Sequence, residues 1–182
     1  MNETHQKQSD PVVDYMVNHK WSVDQKAQRK RYLHRLAQNS RRDPDIATKI
    51  GGILIYNQVI EQLLADIVEM SVYYLKASIW PEKVELKVDL DKATFGKIIE
   101  EFRQFAPIEE NREQILTALK KFNTKRNQVV HDLFDVEDMG RLARELDQYA
   151  RLADQIIRLL SNYDDQVACN FRELDKRKRF HT

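Results

Sequence analysis

The chain has 182 residues, of which 42% are hydrophobic and 32% are charged, with only four glycines, four prolines and one cysteine. This length suits one well-buried core and is too short for two ordinary domains to be the default. A formal net charge of +1 excludes a strong polyanion field around the whole molecule, so a nucleic-acid site must come from a local patch. The single Cys169 excludes an internal disulfide and has no zinc-ligand spacing around it, which favours a reducing cytoplasm.

Apolar residues recur at three- and four-residue spacing, a pattern typical of long helices. We predict an all-α protein, an up-and-down helical bundle of four to five core helices with an N-terminal helical extension. The predicted divisions are a disordered start and basic helical extension over 1–42, a helical bundle over 43–163, and a helix end with a basic tail over 164–182. The polar N-terminus and the absence of a long apolar run predict no signal peptide and no membrane segment.

A basic segment runs from Gln25 to Arg42 without one acidic residue and carries only a thin apolar stripe. Two interpretations are open. In the first, the segment faces RNA, and the candidate contacts are Arg29, Lys30, Arg31 and Arg35, joined by Lys125 further along the chain. In the second, it is a solvated outer helix whose charge is balanced by acids elsewhere on the bundle.

The first long helix of the bundle is predicted to begin at Asp43-Pro44, a capping residue followed by a first-turn proline. Its apolar pattern should run to about Ser78, and Gly51-Gly52 either kinks the helix or permits close packing. Over 82–90, apolar and charged residues alternate, which predicts a half-buried loop with strand character.

Capping residues and a proline divide the second half of the chain. Asp91 or Thr94 is expected to cap a short helix that ends at Phe105. Pro107 then begins the third long helix. At Asp135 the chain starts a new segment, which leads to the last long helix.

The third long helix carries the residues best suited to phosphate chemistry. Asn127 and His131 are four positions apart and share one stripe, and Arg126 is adjacent and can reach the same edge. Arginine offers forked donors to phosphate oxygens, asparagine can orient a hydroxyl, and histidine titrates near neutrality. On spacing alone, an arginine and a histidine on a helix are more often surface or core residues.

The run Arg126-Asn127-Gln128-Val129-Val130-His131 resembles the signature of the HEPN superfamily (higher eukaryotes and prokaryotes nucleotide-binding), in which a polar residue follows the arginine and a histidine follows after four to six residues. The long helix around 56–64, the segment 93–99 and the motif helix introduced by Phe122-Asn123 are similar to the layout of bacterial members. The resemblance spans roughly 46–162 and implies a HEPN-like bundle that often dimerises. Many members are metal-independent ribonucleases in toxin-antitoxin, anti-phage or RNA-processing systems, and others only bind.

In the subgroup paired with nucleotidyltransferase antitoxins, a tyrosine commonly stands two positions after the histidine. Leu133 takes that position here, so regulation through that tyrosine is not expected. Cleavage needs only the arginine, the polar residue and the histidine.

Cleavage of RNA by attack of the 2′-hydroxyl gives these residues distinct roles. His131 would carry the proton, Arg126 would stabilise the anionic phosphorane and Asn127 would position the reacting groups. Glu61, on the helix face that carries Asn57, is a candidate ion-pair partner of Arg126, with a surface acid paired elsewhere as the alternative. One histidine can do only part of the proton transfer at a time, so we predict a homodimer whose motif helices share one cleft, as the resemblance also implies.

The leading hypothesis is a metal-independent endoribonuclease of toxin or anti-phage defence type that acts on RNA in the cytoplasm. It needs no metal and no cofactor, and an antitoxin or other partner protein is a candidate regulator. The main alternative is a catalytically inactive HEPN-like module that binds a nucleotide, RNA or a protein partner. A third is a structural helical dimer in which Arg126 and His131 satisfy buried groups.

Overall fold

The structure is a computed structural model that describes residues 28, 30–41, 45–79, 85–90, 92–132 and 138–179, without the side chains of 130–132, 175 and 177–179. Over these residues the chain forms five helices and no strand. They are α1 over 30–41, α2 over Ile46–Ile79, α3 over Phe95–Phe105, α4 over Arg112–Asp132 and α5 over Met139–Arg179. The helices run up and down, so the predicted all-α, up-and-down bundle is confirmed.

One apolar core joins all five helices, and α2 forms its centre because its apolar residues cover more than one face. The largest fully buried side chains of this core include Tyr56, Ile60, Leu64, Phe102, Leu119, Phe122, Leu146, Tyr149 and Ile156. Each large apolar side chain that is fully buried contributes about 1.5–3 kcal/mol relative to exposure. The core therefore fixes α2, α4 and α5 around the turn of α4 that carries the motif arginine.

Three helices begin at polar caps that the structure identifies. Asp45 Oδ2 accepts from Thr48 N at 2.8 Å at the start of α2, and Thr94 Oγ1 accepts from Lys97 N at 3.3 Å at the start of α3. Asp138 Oδ1 accepts from Gly140 N at 2.8 Å at the start of α5. Each cap satisfies a backbone N–H that the helix itself leaves without an acceptor.

The predicted start of α2 at Asp43-Pro44 is wrong by a few residues, because α2 begins at Ile46, directly after Asp45. The restart predicted at Asp135 lies outside the described residues, and α5 begins at Met139. Residues 42–44 and 133–137 lie outside the described residues. The predicted cap Asp43 is an acid two residues before Asp45, the acid that is used, and sequence preference alone does not separate such neighbours.

The predicted start of α4 at Pro107 is also wrong, since α4 begins at Arg112. Residues 106–111 connect α3 to α4, and Asn111 adopts a φ of 65°, which interrupts right-handed helical geometry. The hydroxyl of Tyr163 accepts from Ile108 N and donates to Ile108 O, both at 3.1 Å, and so fixes this connection to α5.

Helix α1 packs onto the bundle through Ala37, which is fully buried, and Leu33. A Cβ on Gly52 would lie 1.8 Å from Ser40 Oγ, so the glycine permits close packing between α1 and α2. Of the two alternatives for Gly51-Gly52, the structure supports close packing at Gly52, while α2 continues unbroken. Lys49 Nζ of α2 donates to Arg41 O at 2.8 Å and so joins the C-terminal end of α1 to α2.

Residues 85–90 have no regular secondary structure, and Leu86, Val88 and Leu90 pack against the core between exposed neighbours. This confirms the predicted half-buried loop over 85–90, whereas 82–84 lie outside the described residues. Within the segment predicted as helix end and basic tail, α5 continues to Arg179. Phe171 is buried there against Ala77 of α2, which gives the extra turns an apolar contact.

Among the described residues, no helix combines the length and the apolar character that crossing a bilayer requires.

Candidate functional site

Arg126 lies on the side of α4 that faces α2 and α3. Its Nη1 donates to Glu61 Oε1 at 2.8 Å, and its guanidinium carbon lies 5.6 Å from the centre of the Phe95 ring. The side chains of Arg126 and Glu61 are 31% and 33% exposed, so water and ligands can reach the pair. The ion pair predicted between Glu61 and Arg126 is present, and it holds the guanidinium in one orientation at the surface.

A buried hydrogen bond lies directly beneath this ion pair. The Tyr149 hydroxyl donates to Asn57 Oδ1, and Asn57 lies one helical turn before Glu61 on α2. Burial raises the pKa of the Tyr149 hydroxyl although Arg126 and the bond to Asn57 act in the opposite direction. The hydroxyl therefore remains a hydrogen-bond donor at physiological pH, and Asn57 serves as its acceptor.

An aromatic stack supports the same region. The Phe122 ring stacks on Tyr149 with centroids 4.9 Å apart, and Phe95 meets Phe122 edge to face at 5.7 Å. These contacts connect α3, α4 and α5 below Arg126, so the guanidinium rests on packed rings rather than on a mobile loop.

The other two motif residues are only partly placed. Asn127 is exposed, whereas Arg126 is half-buried against α2 and α3. His131 lies in the last turn of α4, and its side chain is outside the described residues. The catalytic roles of Arg126, Asn127 and His131 stay predictions.

The five candidate RNA contacts are in different environments. Lys30 Nζ lies 2.8 Å from Asp66 Oδ2 and faces the bundle, as the second interpretation of the basic segment expects. Arg31 and Arg35 are exposed on α1, and Arg29 lies outside the described residues. Lys125 faces a groove on α4, where its Nζ donates to Gln128 Oε1 at 3.3 Å.

That groove runs between α4 and α5 and has a volume of about 720 Å³. Its α4 wall carries Lys121, Lys125 and Gln128, and its α5 wall carries Gln148, Arg151 and Gln155. None of its lining residues among those that the structure describes carries a carboxylate. The groove therefore offers cations and amide groups together, which suits a phosphate-bearing ligand.

A second polar cluster holds α1 against α2 and α5. Asp154 accepts from the Tyr56 hydroxyl at 2.9 Å and from Arg41 Nη1 at 3.1 Å, and His34 Nε2 lies 3.0 Å from its Oδ1. Burial raises the pKa of Asp154, but hydrogen bonds from His34, Tyr56 and Gln38 outweigh burial and leave the pKa below its ordinary value. The cluster satisfies a buried anion, and a structural role accounts for all of its contacts.

Comparisons of the chain with protein-family models, with curated proteins and with solved structures find no match. The candidate site therefore stands on its own geometry.

Sequence reasoning missed the α5 wall of the groove, although a signal for it exists. Three successive heptads of α5 each begin with arginine and carry an amide four residues later, in the pairs Arg144 and Gln148, Arg151 and Gln155, and Arg158 and Asn162. Residues seven apart lie on one stripe of a helix, so this repeat places alternating cations and amides along one edge. The contacts of Phe95 and Tyr149 with the site had no such signal, because buried aromatic residues are ordinary in a core.

Proposed function

We propose that the protein is a metal-independent endoribonuclease of toxin or anti-phage defence type that cleaves RNA by attack of the 2′-hydroxyl. The observation that supports this most is the fixed, half-exposed guanidinium of Arg126. Glu61 binds Nη1 and Phe95 lies under the guanidinium, so its other donors can approach a phosphate with little loss of rotamer freedom. Preorganised donors of this kind stabilise charge that develops in a transition state.

In this mechanism the roles follow from the residue types. Arg126 holds non-bridging oxygens of the phosphorane, because arginine stays protonated throughout. Asn127, exposed one position further along α4, orients the ribose or the phosphate. His131 takes the proton from the 2′-hydroxyl or gives one to the leaving 5′-oxygen, and a second copy of the motif in a homodimer would do the other step.

The second candidate is a catalytically inactive HEPN-like module that binds a nucleotide, RNA or a protein partner. The same ion pair favours it, since Glu61 neutralises much of the charge that Arg126 would offer to a phosphorane. Binding at the surface tolerates that compensation better than catalysis does.

Incubation of the pure protein with a defined RNA in chelator separates the two candidates. Cleavage with 2′,3′-cyclic phosphate ends, lost in Arg126→Ala and in His131→Ala, is expected for the ribonuclease. Losing one such electrostatic donor commonly costs roughly 10² in rate. Arg103→Ala is the matched control, because Arg103 forms a surface pair with Glu100 on α3 and should leave the rate unchanged. Binding of RNA without cleavage in chelator or in magnesium would favour the inactive module.

The composite site has its own test. A mixture of Arg126→Ala and His131→Ala protomers, allowed to exchange subunits, should recover activity that neither variant has alone. A wild-type protein that is monomeric at the concentrations where it cleaves RNA would rule out the shared cleft.

A further inference from the structure

The groove between α4 and α5 continues into a second groove toward α1. The second groove has a volume of about 370 Å³ and shares Arg151 and Gln155 with the first. Beyond these shared residues it adds Arg41, Arg158 and Asn162. The two grooves therefore form one continuous surface along α5, which we name the α5 track and define by Lys121, Lys125, Gln148, Arg151, Gln155, Arg158, Asn162 and Arg41.

The α5 track is strongly cationic in a protein of nearly neutral charge. Among its described lining residues the one carboxylate is Asp154, which already accepts hydrogen bonds from Tyr56 and Arg41. No carboxylate of the described residues lies within ion-pair distance of Lys121, Arg151 or Arg158, in contrast to Lys30 and Lys49, which pair with Asp66 and Asp147. Cations left unpaired along a concave surface attract an external polyanion.

The spacing along α5 sets the length of that surface. Gln148 and Asn162 span two heptads, which is about 21 Å at a rise of 1.5 Å per residue. A stacked strand carries one phosphate per 3.4 Å, so the track has room for roughly six. Asp165 stands seven residues after Arg158, where the repeat would require another arginine, and therefore ends the cationic stripe.

We propose that the α5 track binds the phosphate backbone of single-stranded RNA. The walls of the groove carry amide side chains, namely Gln128, Gln148, Gln155 and Asn162, which can donate hydrogen bonds to ribose oxygens and exchange hydrogen bonds with unpaired base edges. A duplex hides those edges and receives protein elements into its own grooves rather than entering a groove of the protein. The described lining residues of the two grooves include no aromatic side chain, so binding relies on phosphate contacts and is strongly salt-dependent.

The choice of RNA rests on the proposed function, whereas the phosphate site does not depend on cleavage. The test therefore uses a 2′-O-methyl oligouridine of about 12 nucleotides, long enough for the track and without the hydroxyl that cleavage needs. Its binding, followed by fluorescence anisotropy, can succeed when the ribonuclease assay fails, and it can fail while cleavage persists.

The central variant is Arg151→Gln combined with Arg158→Gln, two exposed positions where glutamine keeps helix propensity. At about 50 mM salt we expect the Kd to rise on the order of 10-fold to 100-fold, because two phosphate contacts are lost. The slope of log Kd against log salt should fall by about 1.4, since each single-strand contact contributes about 0.7. Lys121→Gln with Lys125→Gln, on the opposite wall, should act in the same direction and serves if the first variant does not fold.

The matched control is Lys97→Gln with Arg103→Gln, which removes the same charge from two exposed positions of α3 that do not line the track. It should leave the Kd within about twofold, well below the loss of two phosphate contacts. The inference is overturned if the control weakens binding as much as the track variants do, or if both track variants bind as the wild type does. It is also overturned if wild type does not bind the oligouridine, if a duplex of equal length binds more tightly, or if poly-glutamate of equal charge displaces the RNA equally well.

Discussion

Arg126 Nη1 and Glu61 Oε1, which are 65 residues apart in the chain, are joined by a hydrogen bond of 2.8 Å between α4 and α2. Glu61 lies one turn after Asn57, whose side-chain oxygen accepts from the buried Tyr149. The orientation of the exposed guanidinium thus depends on a carboxylate, and the position of that carboxylate depends on the core beneath it.

Replacement of this carboxylate separates orientation from stability. Glu61→Gln should lower the rate of RNA cleavage in chelator by about tenfold, equivalent to about 1.4 kcal/mol, because Arg126 loses its charged anchor. The free energy of unfolding should change by less than about 1 kcal/mol, since both partners are partly exposed. Initial rates and urea unfolding measure the two effects, with Glu100→Gln on α3 as the matched control. An unchanged rate together with a large loss of stability would assign the pair a purely structural role.

The buried bond between Tyr149 and Asn57 predicts a stability effect without reference to function. Tyr149→Phe removes the donor and leaves Asn57 Oδ1 buried without it, which should lower the free energy of unfolding by about 1–3 kcal/mol. The stack on Phe122 is kept, because the ring is unchanged. Tyr32→Phe is the control, since the Tyr32 side chain is 66% exposed and its hydroxyl can bond to water. Equal stability of both variants in urea would mean that the buried bond contributes nothing net.

The fold followed from local signals because apolar periodicity specifies a helix wherever one face meets a core. The end of the long helix near Ser78 and the end of α3 at Phe105 agree with the sequence prediction, since α2 ends at Ile79 and α3 at Phe105. The predicted starts of α2 and α4 do not agree with the structure, because several nearby residues can cap a helix and the choice depends on packing.

Charge partners were predictable only in part. The pair of Arg126 with Glu61 could be proposed because the helix faces that carry the two residues had been assigned from the sequence. The pairs of Lys30 with Asp66 and of Arg41 with Asp154 depend on how α1 packs against the bundle. That packing is set by Ala37 and Gly52, two small residues that carry little signal in a sequence. Of the four described lysine and arginine side chains of α1, Lys30 and Arg41 therefore face acids that periodicity alone could not assign to them.

The anion at Asp154 predicts an acid-sensitive contact between α1 and the bundle. Its folded-state pKa is lowered, so its contribution to stability is present above about pH 4, the unfolded value, and is lost as the pH falls through the folded value. At neutral pH, Asp154→Asn should destabilise the protein by about 1.5–3 kcal/mol, the range for hydrogen bonds to a charged group. Thermal unfolding between neutral and acidic pH measures this. Asp165→Asn, an exposed carboxyl on the same helix, should show no comparable loss.

Asp164 predicts the opposite dependence on pH. Burial raises its pKa to about 6, and Asp66 and Asp165 add to the rise while Lys30 opposes it. The folded protein therefore binds a proton more tightly than the unfolded chain does, and this group favours folding below about pH 4 and loses that contribution as the pH rises through about 6. At neutral pH the carboxylate is ionised at a cost, so Asp164→Asn should raise the free energy of unfolding by about 1–3 kcal/mol. The gain should shrink toward zero near pH 4, where Asp164 is protonated in wild type. A gain that is the same at both pH values would show that the amide stabilises by packing and not by removing a buried charge.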